Sequence, residues 1–250
     1  MYFKSAFLAV VLCVSSLTSV QGLAGVSGKL MQVASSHSGH FTLERHNFIT
    51  ELREGDFRRE QVAQFFCDRI FILKIMESIL DFGPSAGEES WNQLPSAQKI
   101  FFRSLPYREE LLKLVGNSSY FQPTVPAIDY GNYLKSARHE VVALHFWLFL
   151  IGETFGAQHI SDYIAKKYPQ VGEASKNFED MKLMTVRGIF NKWIDNQFPT
   201  GTEANYPEID FKDEIGVAYA YMTHLFDASD TAPRVSSYQS AVLAFSRLFN

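Results

Sequence analysis

Cysteine is nearly absent from the chain: Cys13 and Cys67 are the only two among 250 residues. Cys13 falls inside an N-terminal leader described below, so a mature chain keeps Cys67 alone and has no intrachain disulfide. A basic excess is also lacking. The 23 Lys and Arg residues stand against 27 Asp and Glu, a formal net charge of −4, and no basic tract occurs. That balance removes the electrostatic case for nucleic acid as a partner. Beyond the leader, no apolar run reaches the roughly 20 residues of a stable membrane span. No alternating strand pattern persists and no internal repeat is found. What remains is helical periodicity, and the chain is predicted to be all-α.

The start of the chain reads as a leader. Met1-Tyr-Phe-Lys4 is followed by the apolar run Ala6 to Val14 and then by small and polar residues ending Ser19-Val20-Gln21-Gly22. This layout predicts a signal peptide over residues 1–22, and export to a periplasm, the exterior or an organelle lumen. Leu12 before Cys13 argues against a lipoprotein cleavage site. Residues 23–250 suffice for one helical domain with a substantial core. Asn117-Ser118-Ser119 fits a glycosylation sequon, which matters only in a eukaryotic source.

Along that domain, Leu23 to Gly39 is small and polar. The next stretch, His40 to Leu52, places Leu43, Phe48, Ile49 and Leu52 near one helical face. Gly55 reads as the residue that ends this helix and Asp56 as the N-cap of the next. Phe57 to Phe82 repeats apolar residues at steps of three and four, and Gly83-Pro84 stops it. Short helices are expected over 96–103 and 109–114, another from near Ala127, and longer ones over 172–197, 211–226 and 235–248. The turn-rich Pro199 to Pro207 separates two of them.

The most apolar stretch is Glu140 to Gln158, EVVALHFWLFLIGETFGAQ, in which His145 is the only polar residue between Val141 and Ile151. It predicts a buried helix. Gly152 and Gly156 follow one turn apart, each costing about 1 kcal/mol relative to alanine in a helix. Two readings account for them: close helix–helix contact, or a backbone laid bare so that a flat, bulky ligand can lie against it. Glu153 sits at the edge of that glycine face.

With these segments placed, the chain resembles the heme oxygenase family. That family's distal helix carries a histidine and then Gly-Asp-x-x-Gly-Gly-Gln. Here the corresponding text is His145-Phe-Trp-Leu-Phe-Leu-Ile-Gly152-Glu153-Thr-Phe-Gly156-Ala157-Gln158. Two glycines and the glutamine match, the third glycine becomes Ala157, and the family aspartate becomes Glu153. The family's proximal histidine stands fifteen residues before the glycine that ends its first helix, a spacing that falls on His40 when counted from Gly55. His37 is the next candidate. His145 matches a family histidine that bonds other side chains, and a satisfied core histidine is the role expected of it.

The resemblance implies a single-domain heme oxygenase-like bundle that binds heme between His40, as axial iron ligand, and the Gly152–Gly156 helix. It implies oxidative ring opening to a biliverdin-like product with iron release, an external electron donor and a redox partner. Glu153 would deliver a proton through water. Propionate anchors in the family are a lysine and an arginine four apart on a later helix. Arg187 falls on the lysine, whereas the arginine position is Asn191, with Lys192 beside it. Glu153 and Asn191 depart from the catalytic pattern, and export separates the chain from cytosolic reductases. An exported, non-catalytic heme binder is therefore the alternative. A di-iron oxidase on the same fold is a second: Glu60 is followed at the ligand spacing by Cys67, and a late helix offers only His224 and Asp227. A thiaminase-like reading would make Cys67 a nucleophile, but no base stands at helical spacing from it.

Overall fold

The computed structural model describes residues 25–82, 100–116, 121–171, 183–198 and 209–233. The leader, the Asn117 sequon, the Gly83-Pro84 stop, the 199–207 turn and the helix expected over 235–248 lie outside the described residues. So do most of the segment expected over 96–103 and the start of the one expected over 172–197. Within the described residues the chain is helical throughout and has no strand.

The expected first helix is two, and a third precedes it. α1 (Val26–Ser36), α2 (Ser38–Glu44) and α3 (Asn47–Glu54) are separated by extended residues at His37 and His46. Each of these histidines caps the helix after it: His37 Nδ1 accepts the Gly39 N–H at 3.0 Å and His46 Nδ1 that of Phe48 at 3.1 Å. Such side-chain acceptors satisfy the donors a helix start leaves open. α1 corrects the reading of Leu23 to Gly39 as a polar lead-in. Val26, Leu30, Met31 and Ala34 are buried at helical spacing among Ser, Gly and Gln residues that mask the pattern.

α3 ends at Gly55, whose φ of 83° is left-handed, as expected for a helix-ending glycine. The next helix, α4 (Arg59–Ile79), begins later than expected. Its N-cap is Arg58 rather than Asp56, and the Gln61 side chain accepts the Arg58 backbone N–H at 2.6 Å. α5 (Ser104–Val115) and α6 (Val125–Ser136) follow, then α7 (His139–Gly152), a π-helical turn over Glu153–Ala157, and α8 (Gln158–Lys167). α9 (Leu183–Gln197) and α10 (Phe211–Asp230) complete the described bundle.

α7 is the central element, as its composition predicts. Every residue from Val141 to Ile151 is buried, because α4, α9 and α10 all pack around it. One polar pairing pins α9 to it: the Trp147 indole N–H donates to Asn191 Oδ1 at 3.2 Å. Elsewhere the packing uses glycine. A Cβ on Gly131 of α6 would come within 2.6 Å of Ile75 Cδ1, so this residue permits close approach to α4.

Asn191→Leu keeps the volume but strands the buried indole N–H of Trp147. It is expected to destabilise the protein by about 1–3 kcal/mol in denaturant unfolding.

Candidate functional site

The two stretches that carry the resemblance, about 110 residues apart in sequence, meet in space. α3 packs against α8, the continuation of the glycine helix, and Lys167 at the end of α8 donates from Nζ to the Gly55 carbonyl at 2.9 Å. His40 stands on α2, one short helix before this contact.

Gly152 and Gly156 are exposed, and a Cβ built on either meets nothing within 4 Å among the described residues. Close helix packing would place neighbouring atoms there, as it does at Gly131. Among the described residues, no helix therefore makes the close contact of the first reading. The backbone between them faces open space, and the π-helical turn lies at this point. A π turn inserts one residue into the helical register, and such bulges concentrate at functional sites.

Glu153 turns the other way. Its side chain is fully buried, with Oε1 2.8 Å from Arg69 Nη2 and Oε2 2.6 Å from Arg103 Nε. The Arg69 guanidinium lies 5.0 Å from the ring centroids of Tyr107 and Phe149. Burial pushes the Glu153 carboxyl up, but Arg103 and Arg69 together pull it below the ordinary carboxylate value. It is a locked anion. Behind it, Glu77 accepts the backbone N–H groups of Arg103 at 2.7 Å and Ser104 at 2.8 Å, and the Ser104 hydroxyl at 2.5 Å. Glu77 thereby caps α5 and fixes the start of the segment that carries Arg103. Its own pKa is pushed up to about 7 by burial, which outweighs these three donors.

Of the three clustered histidines, His40 is the one not used as a cap. His37 is committed through Nδ1 to α2, and its Nε2 lies against α10 at Gly216. His46 bonds Asp227 through Nε2 at 3.0 Å. His40 is about one-third exposed, and its buried Nδ1 has no hydrogen-bond partner among the described residues. The nearest carboxylate to that nitrogen is Glu44 Oε1, 3.8 Å away. A metal-ligating histidine commonly has its second nitrogen directed at a carboxylate in this way.

Arg187 and Lys192 are not brought together. Arg187 is on the buried face of α9, whereas Lys192 is exposed. Five residues along a helix turn the side-chain direction by about 140°. Asn191 is used inside the fold, by Trp147. His145 is the satisfied core histidine that was expected, bonded at both nitrogens to Tyr130 and Glu214. No group of three His, Cys, Asp or Glu side chains that could hold a metal ion is found among the described residues. The Cys67 thiol is buried and pushed up to about 12, by burial first and by Asp68 second, which leaves no thiolate for nucleophilic chemistry. Among the described residues, no helix is long and apolar enough to cross a membrane.

Arg69, Arg103, Tyr107 and Glu77 are absent from the sequence-based site. The available signal was a pair of charges, Asp68-Arg69, inside an apolar helical run, together with the need of a buried Glu153 for cations.

This arrangement is a heme oxygenase-like fold. The structure matches that of heme oxygenase-2 from Synechocystis sp. PCC 6803 in complex with heme and NO, with a TM-score of 0.63 and 18% identity. The match covers 86% of this chain and 91% of that one. It also matches heme oxygenase-1 from the same cyanobacterium in complex with heme, with a TM-score of 0.65 and 14% identity, over 90% of this chain and 98% of that one. No protein-family profile and no curated protein sequence matches the chain.

Two outcomes follow from the locked carboxylate and the cap behind it. Glu153→Gln leaves two buried guanidinium groups facing one neutral amide and is expected to cost about 3–5 kcal/mol in denaturant unfolding. Glu77 has a folded pKa above its unfolded value of about 4.3, so the folded state binds the proton more tightly. Stability should fall as pH rises from about 4.5 to about 7, by at most about 4 kcal/mol. Thermal melts across that range should show the slope in the wild type and lose it in Glu77→Gln.

Proposed function

We propose that the chain binds heme, which Gly152 and Gly156 would hold against their open face and whose iron His40 Nε2 would ligate. The open face carries this reading: two helical glycines, at which an added Cβ has no neighbour within 4 Å among the described residues, leave bare backbone for a flat ligand to lie against. His40 supports it through its exposure and through Glu44, which faces the other ring nitrogen. Arg187 is the anchor for a propionate; Lys192, exposed and about 140° around the helix, is a weaker candidate for the second. Bound there, heme would supply oxygen chemistry, and oxidative opening of its ring to a biliverdin-like product with iron release is the reaction that the resemblance of the Gly152–Gln158 segment suggests. An external donor would provide the electrons. Glu153, the matching carboxylate, would serve as proton donor only after leaving the two arginines that hold it away from the glycine face.

One observation favours a second reading, an exported heme-binding protein without turnover. Both oxygens of Glu153 are held by arginines, and its depressed pKa makes it a poor proton donor. Proton delivery through this group requires one of those pairs to open. Export, if the leader acts as one, would also part the protein from cytosolic reductases.

A hemin titration followed by visible absorption tests the proposal. A saturable Soret shift is expected, weakened or altered in His40→Ala. Bleaching of the complex by ascorbate in the presence of catalase would support ring opening, and a spectrum unchanged by ascorbate would support the carrier. No saturable binding at micromolar hemin would overturn both.

A further inference from the structure

Four largely buried ionisable groups stand behind the glycine face: Arg69 and Glu77 on α4, Arg103 at the start of α5, and Glu153 on the π turn. One residue joins the two carboxylates. Arg103 donates its backbone N–H to Glu77 Oε1 at 2.7 Å and its Nε–H to Glu153 Oε2 at 2.6 Å. The other oxygen of Glu153 is held by Arg69. The four charges balance only when both carboxylates are ionised. With Glu77 neutral, Glu153 alone answers two guanidinium groups. With Glu77 ionised, a second carboxylate answers them as well and repels Glu153. The backbone that carries Glu153 is able to respond. Its π turn, Glu153–Ala157, holds one surplus residue, and returning that residue to α register turns the chain by about 100°.

We infer that Glu77 works a latch on the glycine face: its ionisation loosens Glu153 from Arg69 and Arg103 and lets the π turn open. Few other groups face Glu77. From α5 come the Arg103 and Ser104 N–H groups and the Ser104 hydroxyl, and from the π turn comes the Glu153 charge. α6, α7 and α10, which also pack against α4, bring no charged or titratable group to it among the described residues. Tyr107, beside Arg69, stays a neutral phenol, pushed up to about 12 chiefly by burial. Burial sets the Glu77 transition at about 7, so the latch is shut in mild acid and released above neutrality. The coupling is reciprocal, because departure of Glu153 removes a repelling charge and favours the ionised Glu77. Glu77 thereby governs when Glu153 is free to act on a proton at the glycine face. That use rests on the proposed function, whereas the latch itself operates in the protein without heme.

Hydrogen exchange of the heme-free protein, followed by mass spectrometry, tests the latch. Protection factors remove the intrinsic pH dependence of exchange. Dilute urea then separates local opening, which it leaves unchanged, from global unfolding, which it promotes. The urea-insensitive protection of the Glu153–Ala157 amides should fall about fivefold or more between about pH 5.5 and about pH 8.5. Glu77→Gln, neutral at every pH, should keep the acid value throughout. Ser104→Ala removes a donor that favours the charged form, so its transition should move to higher pH. Melting curves establish that each variant is folded, and Ser104→Ala serves alone should Glu77→Gln not fold. Wild-type protection that does not change with pH overturns the inference. So does urea-sensitive exchange of these amides at both pH values, a wild-type fall in folded Glu77→Gln, or an unmoved transition in Ser104→Ala. A role for Glu77 in capping α5 alone would alter only the global, urea-sensitive exchange. A working latch in a protein that binds no hemin would uphold this inference and overturn the proposed function, so the two fail separately.

Discussion

A single buried carboxylate sets the geometry of the proposed site. Glu153 follows immediately on Gly152, and its two oxygens are gripped by guanidinium groups from α4 and from the start of α5. Neighbouring helical residues point about 100° apart, so anchoring one side chain inward turns the other outward. The ion pairs hold the π turn against the bundle and leave the glycine backbone facing open space. Removing two arginines and a glutamate from water is costly, and the pairing offsets that cost only because each carboxylate oxygen has its own cation. The rings of Phe65, Tyr107 and Phe149 around Arg69 exclude water and contribute cation–π attraction.

The surrounding elements serve the same end. Glu77 fixes the backbone of Arg103 while it caps α5, so the helix start and the clamp on Glu153 share one support. His37 and His46 divide the N-terminal region into three short helices and leave His40 on the middle one. The contact between α3 and α8 then sets this region beside the continuation of the glycine helix.

Much of this was legible in the sequence because its signals are local. The all-α class, the buried central helix, the stop at Gly55 and the core role of His145 all follow from apolar spacing and from glycine. The division of the first helix was not legible. Histidine is an unusual cap, and the α1 pattern is diluted by Ser, Gly and Gln. Which way Glu153 points was hidden as well. Its partners are 84 and 50 residues away in sequence, and no spacing rule connects them. The choice between packing glycines and bare glycines also depended on what lies opposite, which only the folded chain reveals.

The central claim is that the face at Gly152 and Gly156 is a ligand cradle, and substituting those glycines tests it most directly. A Cβ at either position meets nothing within 4 Å among the described residues, and leucine relieves a helix penalty of about 1 kcal/mol, so the melting temperature should hold or rise. Hemin affinity measured by absorption titration should nonetheless fall by about tenfold or more, a loss of about 1.4 kcal/mol or more. Full-strength hemin binding in folded Gly152→Leu and Gly156→Leu proteins would contradict the account, because the ligand would then lie elsewhere.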